Sequence, residues 1–337
     1  MLVKPAWTRP LHQKVNDKAF VVEENFVYVA EKERYLTKID LLSGNSVWSL
    51  RVSNSWGWLC IYRANLYYLE QSGRLLILQK DTGEVIKSHE LKSAGSLGYI
   101  IPSDRVLITG GWRGYSDLQG YDPNTLDLLW TKKVADRVFS IDYSVPLIIN
   151  DNLLLTVNHT ARLIEAIELN SGIVKSSLSL PDGLQCPDLG RSFQVIGDRI
   201  IFTSTQGKLY LLNTNFQSLE VETLNTDSIL TILPYFYNHK LIYEESHGNF
   251  VFYDRTNNQR LGRIRLANNY RIQVFATQLE NKIFIVGGSL GQLKIVDEAG
   301  SEIAKIKSDS RISTQFYTFQ KLIIYGNKSE IRVWQWK

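Results

Sequence analysis

Histidines and cysteines are the residues of this chain that are best suited to metal or nucleophilic chemistry. The five histidines stand at positions 12, 89, 159, 239 and 247, and no two of them have a spacing typical of metal ligands. The two cysteines, Cys60 and Cys186, form neither a CxxC motif nor a disulfide framework, which is typical of a reducing cytosol. We therefore expect no metal site and no bound cofactor.

Sequence motifs for acyl or phosphoryl transfer are also missing. The chain contains no GxSxG elbow, P-loop or GxGxxG segment. The glycine-rich residues 287–291 stand between two predicted strands rather than before a helix, so the pattern predicts a hairpin and not a phosphate site. The acidic pair Glu244-Glu245 lies at a strand end and has no identifiable acid or base partner. The chain is therefore predicted not to be an enzyme.

A repeat of about 43 residues organises the whole chain. Each copy has an apolar strand that ends at a polar residue, then a tight turn and a second strand. The positions equivalent to Asp40 are 40, 79, 122, 168, 213, 254 and 296. Glycines at 44, 83, 172 and 300 are expected to close these turns with positive φ. This period with short strands is typical of the blades of a β-propeller.

The two ends of the chain together complete the blade count. Seven full hairpins are followed by three predicted strands at 314–319, 322–325 and 331–336, and the segment around Trp7 resembles those around Trp48 and Trp130. The N-terminal strand is therefore predicted to close the last blade, and the three tryptophans to pack between blades. The expected fold is all-β, a single eight-bladed β-propeller domain over residues 1–337 with four-stranded antiparallel blades. Seven blades, with one hairpin as an insertion, is the alternative.

The residues Asp40, Gly44 and Trp48 carry a resemblance to a known repeat. Their segment resembles the repeat of the PQQ-like (quinoprotein-type) β-propellers, apolar–Asp–x–x–Thr/Ser–Gly–x–x–x–Trp. Blade two has Lys87 in the tryptophan position, and in blade three Thr125 is interpreted as the replacement for the glycine. For dehydrogenases of this family the resemblance implies an adjacent cysteine pair, a calcium held by acidic and amide side chains, and export signals. This chain shows none of these, so we expect a non-enzymatic, cytoplasmic member.

The two faces of the predicted propeller differ in charge. First and third turns lie at one end of each blade, here called the turn face, and middle loops and blade-to-blade connections lie at the other, the loop face. The third turns sum to about −8, whereas the loop face carries arginines and aromatics. Such residues on loops over a rigid frame are favoured at protein interfaces. The residues predicted to bind a partner are Trp56, Trp112, Arg113, Arg137, His159, Arg191, Tyr270, Arg271 and Arg311.

These patterns together predict a non-catalytic scaffold or adaptor that binds a protein partner in a larger bacterial assembly, with a regulatory or neutralising role. The N-terminus shows no signal peptide and no apolar run is long enough for a transmembrane helix, so we expect a cytoplasmic protein without membrane contact. The alternatives are a small-ligand or carbohydrate binder and a face for single-stranded nucleic acid. The net charge of +4 is too mild to favour nucleic acid.

Overall fold

The chain folds into eight antiparallel sheets of four strands each. The computed structural model describes residues 3–32, 34–53, 57–70, 72–91, 97–111, 117–132, 146–158, 161, 163–179, 194–203, 207–224, 234–246, 248–266, 275–288, 292–308 and 311–337. Each sheet is built from strands that are consecutive in sequence, except the last, which takes its outer strand from the N-terminal segment. The predicted fold class, an eight-bladed β-propeller, is confirmed. Within the described ranges, no helix has the length and apolar character needed to span a membrane.

The residues divide into two compact units. Unit one comprises Met1–Asn54, Thr205–Lys208 and Thr223–Lys337, and unit two comprises Ser55–Ser204 and Leu209–Glu222. Whether the chain behaves as a single domain stays a prediction.

Unit one contains blades one, six, seven and eight. The strands of blades one and six are β2 (Val15–Glu23), β3 (Phe26–Glu31), β4 (Tyr35–Asp40), β5 (Ser46–Arg51), β22 (Tyr235–Tyr237), β23 (Lys240–Ser246), β24 (Asn249–Asp254) and β25 (Gln259–Arg265). Those of blades seven and eight are β26 (Phe275–Glu280), β27 (Ile283–Gly288), β28 (Gln292–Asp297), β29 (Glu302–Lys307), β30 (Tyr317–Phe319), β31 (Leu322–Gly326), β32 (Glu330–Trp336) and β1 (Val3–Pro10).

Unit two contains blades two to four and most of blade five. The strands of blades two and three are β6 (Gly57–Tyr62), β7 (Asn65–Glu70), β8 (Arg74–Gln79), β9 (Val85–Glu90), β10 (Leu97–Ile101), β11 (Leu107–Gly111), β12 (Leu118–Tyr121) and β13 (Leu128–Lys132). Those of blades four and five are β14 (Leu147–Ile149), β15 (Leu153–Asn158), β16 (Leu163–Glu168), β17 (Val174–Ser179), β18 (Gln194–Ile196), β19 (Arg199–Thr203), β20 (Lys208–Asn213) and β21 (Leu219–Thr223).

The third strands of several blades are buried over most of their length. The four central residues of β4, β8, β16 and β20 are all buried, because both faces of these strands are covered. The outermost strands β5, β9 and β17 instead alternate between exposed and half-buried residues. Apolar clusters fill the space between consecutive blades, such as the one that joins Val29 of blade one to Ile324 of blade eight in unit one. Sheet-on-sheet packing is therefore the main source of burial.

The N-terminal strand closes blade eight as predicted. β1 pairs antiparallel with β32, with Trp7 opposite Val333 and Pro10 opposite Glu330. The indole Nε1 of Trp7 donates to the carbonyl of Leu41 in the third turn of blade one at 2.7 Å. The outer strand of blade eight therefore also binds the next blade.

Trp130 makes the same contact in unit two, and the prediction that Trp7 and Trp130 pack between blades is confirmed. Its Nε1 donates to the carbonyl of Leu169 in the third turn of blade four at 2.7 Å. The ring lies on Gly172, where a Cβ would stand 2.7 Å from the indole carbons. In blade two, Lys87 occupies the tryptophan position and its Nζ donates to the carbonyl of Asn124 in the turn of blade three.

The four turn glycines predicted from sequence all have positive φ, between 69° and 81°. In blade three, however, the residue in the glycine position is Leu126 and not Thr125. Leu126 has a φ of 64°, and its amide donates to the carbonyl of Asp122 as that of Gly44 donates to Asp40. The side chain of Leu126 is buried in the apolar cluster between blades two and three. This burial offsets the backbone strain that a leucine meets at positive φ.

Two further details differ from the prediction. The turn residue of blade seven is Asp297, one position later than predicted. Its carboxylate is the one that accepts from the turn amides of Ala299 and Ser301. The first strand of blade eight begins at Tyr317 rather than at 314. The hydroxyl of Thr314 instead accepts from the amide of Gly326 at 2.9 Å, so a side-chain hydrogen bond takes the place of a ladder bond before Tyr317.

Candidate partner-binding face

Most of the residues predicted to bind a partner lie outside the described part of the chain. These are Trp56, Trp112, Arg113, Arg137, His159, Arg191, Tyr270 and Arg271. Arg311 is described and exposed, one residue before Ile312, which forms a bridge with Asn327. The partner-binding role of all nine stays a prediction.

Further cations that the sequence analysis did not select lie at the loop face of unit one. Their positions follow from the strands: they end outer strands, flank middle loops or stand in blade-to-blade connections. With Arg311 they are here called the loop-face cations, and all are exposed: Lys14, Arg34, Arg51, Arg265, Lys307, Arg311 and Lys328. The repeat itself could have found some of them, because Arg51 and Arg265 follow Asp40 and Asp254 at the same distance in sequence.

The described carboxylates at the loop face of unit one are occupied within the fold. Glu31 is buried and its Oε2 accepts from the backbone amides of His12 and Gln13 at 2.7 and 3.0 Å. The Oε1 of Glu244 accepts from the amide of Gly248 at 2.7 Å. Glu330 accepts from the side-chain amide of Asn327 and from the guanidinium group of Arg332. These carboxylates therefore hold loops and strands in place.

The pair Glu244-Glu245 is mostly buried, and its second member is held by arginines. The carboxylate of Glu245 pairs with the guanidinium groups of Arg260 and Arg263 on the outer strand of the same blade. Since Glu244 is bonded to the Gly248 amide, both acids have structural partners. Within the described ranges, no group of three metal-ligating side chains is assembled.

The turn face carries carboxylates that are hydrogen-bonded to their own turns. Asp40 accepts from the amides of Leu42 and Ser43 at 3.1 and 2.8 Å, and Asp122 accepts from those of Asn124 and Thr125 at 2.7 and 2.8 Å. This is the Asx-turn arrangement, in which the side chain satisfies amides that the hairpin leaves without a ladder partner. The acidic turns predicted from the sequence therefore serve the fold.

These hydrogen bonds stabilise the ionised carboxylates. The amide and hydroxyl of Ser43 lower the pKa of Asp40, and the amides of Thr125 and Asn124 lower that of Asp122. In blade seven, hydrogen bonds from Lys240 and then Lys282 lower the pKa of Glu298. The ammonium groups of the two lysines lie 2.9 and 3.1 Å from the Glu298 carboxylate, which joins blade six to the turn of blade seven.

Comparison with known proteins supports the repeat assignment. Residues 4–100 match a family model described as the outer membrane protein assembly factor BamB. No curated protein matches the chain by sequence.

Solved structures with the same fold cover nearly the whole chain. BamB from Moraxella catarrhalis is 16% identical with a TM-score of 0.73, covering 99% of this chain and 100% of that one. Saccharomyces cerevisiae Sqt1 is 14% identical with a TM-score of 0.71, covering 98% of each chain. The quinohemoprotein alcohol dehydrogenase from Comamonas testosteroni is 11% identical with a TM-score of 0.69, covering 99% of this chain and 76% of that one. The chain thus has the fold of the PQQ-like β-propellers, and its residues 4–100 match the BamB-type repeat family.

Proposed function

We propose that this protein is a non-catalytic β-propeller scaffold or adaptor that binds a protein partner through its loop face. One observation carries the proposal: at the loop face of unit one, the carboxylates of Glu31, Glu244, Glu245 and Glu330 are held within the fold, whereas the loop-face cations are exposed. Exposed cations on strand ends and loops of a rigid frame are suited to recognition of another protein.

The comparisons support an assembly role and do not support a particular reaction. The matching family model is that of an assembly factor, and the fold also occurs in dehydrogenases, so function has to be argued from the residues. The acidic pair that resembles catalytic carboxylates is Glu244-Glu245, and both acids have structural partners. We place the protein in the cytoplasm of a bacterial cell as a subunit or regulatory component of a larger complex.

The test is a quantitative pull-down from the native host. Arg271→Glu combined with Arg311→Glu reverses two charges that were predicted to contact the partner. We expect recovery of the specific partner to fall at least about fivefold, because exposed ion pairs contribute up to about 1 kcal/mol each and reversal adds repulsion.

The control variant reverses two charges elsewhere in unit one. Lys4 and Lys337 are exposed and lie toward the turn face, so Lys4→Glu with Lys337→Glu changes the net charge equally. Recovery of the partner should then match the unaltered protein. Equal recovery with both double variants would count against the loop face.

A further inference from the structure

The loop-face cations of unit one come from all four of its blades and the connections between them. Arg51, Arg265 and Lys307 end the outer strands of blades one, six and seven. Arg34 precedes β4 and Lys328 precedes β32, while Lys14 and Arg311 lie between blades. A strand end fixes the Cα of Arg51, Arg265 and Lys307, so the backbone positions of these three charges are set by the sheet rather than by a long loop.

Their cross-strand neighbours carry no charge. Arg265 pairs with Asn249, and Lys307 pairs with Gln292. Arg51 pairs with Tyr35. Within the described part of the chain, no ion pair joins any of the seven cations to a carboxylate. The positive charge at this face is therefore available to an outside ligand.

We propose that the loop face of unit one binds an acidic, aspartate- and glutamate-rich segment of the protein partner. The proposal rests on the proposed function and adds the chemistry of the partner. Four of the seven cations are arginines, whose planar guanidinium groups form paired hydrogen bonds with carboxylates. Several exposed cations on one rigid surface bind a flexible acidic chain without a deep pocket, because each carboxylate needs only one nearby cation.

The aromatic side chains at this face favour a protein segment over single-stranded nucleic acid. Binding of single strands requires exposed rings on which bases stack. Tyr35 stands beside Arg34 but is half-buried, and its ring contacts that of His12 at 5.5 Å between centroids. Phe316, in the connection that precedes β30, is buried. Both rings are engaged in the fold.

The test measures binding of three labelled probes by fluorescence anisotropy to the full chain. The probes are a peptide of alternating glutamate and serine, a peptide of alternating lysine and serine, and an oligothymidine of matched length. We expect the glutamate peptide to bind most tightly, with affinity that falls as ionic strength rises from about 0.01 M to about 0.15 M, since screening shortens the reach of exposed charges.

Arg265→Glu combined with Lys307→Glu should weaken the binding of the glutamate peptide about tenfold, because two attractive contacts become repulsive. Lys4→Glu with Lys337→Glu is the matched control and should leave the affinity within about twofold, since both residues lie toward the turn face. Thermal melts of both variants separate a binding defect from a folding defect.

Three results would overturn the proposal: tighter binding of the oligothymidine, equal weakening by the control variant, or no binding of the glutamate peptide at low salt. A failure of this proposal can be distinguished from a failure of the proposed function. If the pull-down partner depends on Arg271 and Arg311 but the glutamate peptide does not bind, the scaffold role stands and the acidic partner does not.

Discussion

Single hydrogen bonds from outer-strand side chains to the next blade recur through this fold. Trp7 and Trp130 donate an indole N–H to a turn carbonyl, and Lys87 donates its ammonium in the same way. Blade six has Gly262 at this position, and the turn of blade seven fills the space, because a Cβ on Gly262 would stand 1.6 Å from the carbonyl oxygen of Ala299. The same repeat position thus joins neighbouring blades through an indole donor, an ammonium donor or close packing at a glycine.

The contact between Trp130 and Gly172 gives a sharp test at the residue scale. We expect Gly172→Ala to destabilise the protein by about 3 kcal/mol, of which roughly 1 kcal/mol is strain at positive φ and the rest overpacking against the indole. The control is Gly197→Ala, which has a φ of 60° and open space where the added methyl group would stand. It should cost only about 1 kcal/mol. Urea unfolding midpoints of the two variants measure the difference, and equal losses would contradict the packing role of Trp130.

Sequence reasoning found the turn glycines but missed the non-glycine residues at positive φ. Leu126 and Phe216 take this conformation at 64° and 65° with buried side chains. Their residue types give no local signal for the left-handed region. Only the apolar neighbours supplied by adjacent blades explain why the strain is tolerated, and these are contacts that a single sequence does not reveal.

The third turn is the element in which charge and fold stability are most closely linked. The pKa of Asp40 is lowered in the folded state, so its contribution to stability is complete above the ordinary value of 3.8 and is lost as pH falls through the lowered value. We expect Asp40→Asn to lower the melting temperature at pH 7 by about 2 °C, and we expect this difference to shrink as pH falls below 3.8 and through the lowered pKa.

Melting curves across pH for the unaltered protein and Asp40→Asn check this. Asp127→Asn removes an exposed carboxylate from the equivalent turn of blade three and serves as the control. A constant gap between Asp40→Asn and the unaltered protein at every pH would contradict the role of the carboxylate charge.

At the level of elements, strand positions were well predicted from the repeat. The sequence pattern of blade two predicts strands at 58–62, 66–70, 75–79 and 84–91, and the observed bounds differ by one residue at each end or less. The apolar runs and the turn residues Gln79 and Gly83 together locate these strands. The prediction of the first strand of blade eight at 314–319 was less accurate, because the hydroxyl of Thr314 accepts from the amide of Gly326 in place of a ladder hydrogen bond.

Closure of blade eight by β1 is the feature on which the whole molecule depends most. Deleting residues 1–10 removes the partner of β32 and the bond from Trp7 to Leu41, so that β32, which lies inside the sheet in the full chain, becomes its exposed edge. We expect the shortened protein to aggregate or form oligomers in size-exclusion chromatography, with a broader melting transition.

The control for this deletion is Trp7→Phe, which keeps the strand and removes the indole donor. It should elute like the unaltered protein and lose about 1–3 kcal/mol of stability, because a part-buried carbonyl is left without its donor. A shortened protein that elutes and melts like the unaltered chain would show that β1 is dispensable.

The candidate site was less predictable than the fold. The formal charge summed over the predicted turns correctly placed acidic residues at the turn face. It did not show that the carboxylates of Asp40 and Asp122 accept hydrogen bonds from the amides of their own turns. It also selected residues on long segments rather than Arg265 and Lys307, which end ordinary strands. Whether a charged group is engaged depends on atomic distances that composition does not contain.

The pairing of β1 with β32 also sets an order of events during synthesis. β1 leaves the ribosome before its partner β32 is made, and at roughly 10 residues per second the wait between the two is about half a minute. Throughout this time β1 has no ladder to join. Pro5 and Pro10 lack amide donors, so they discourage nascent chains from pairing with one another along this strand.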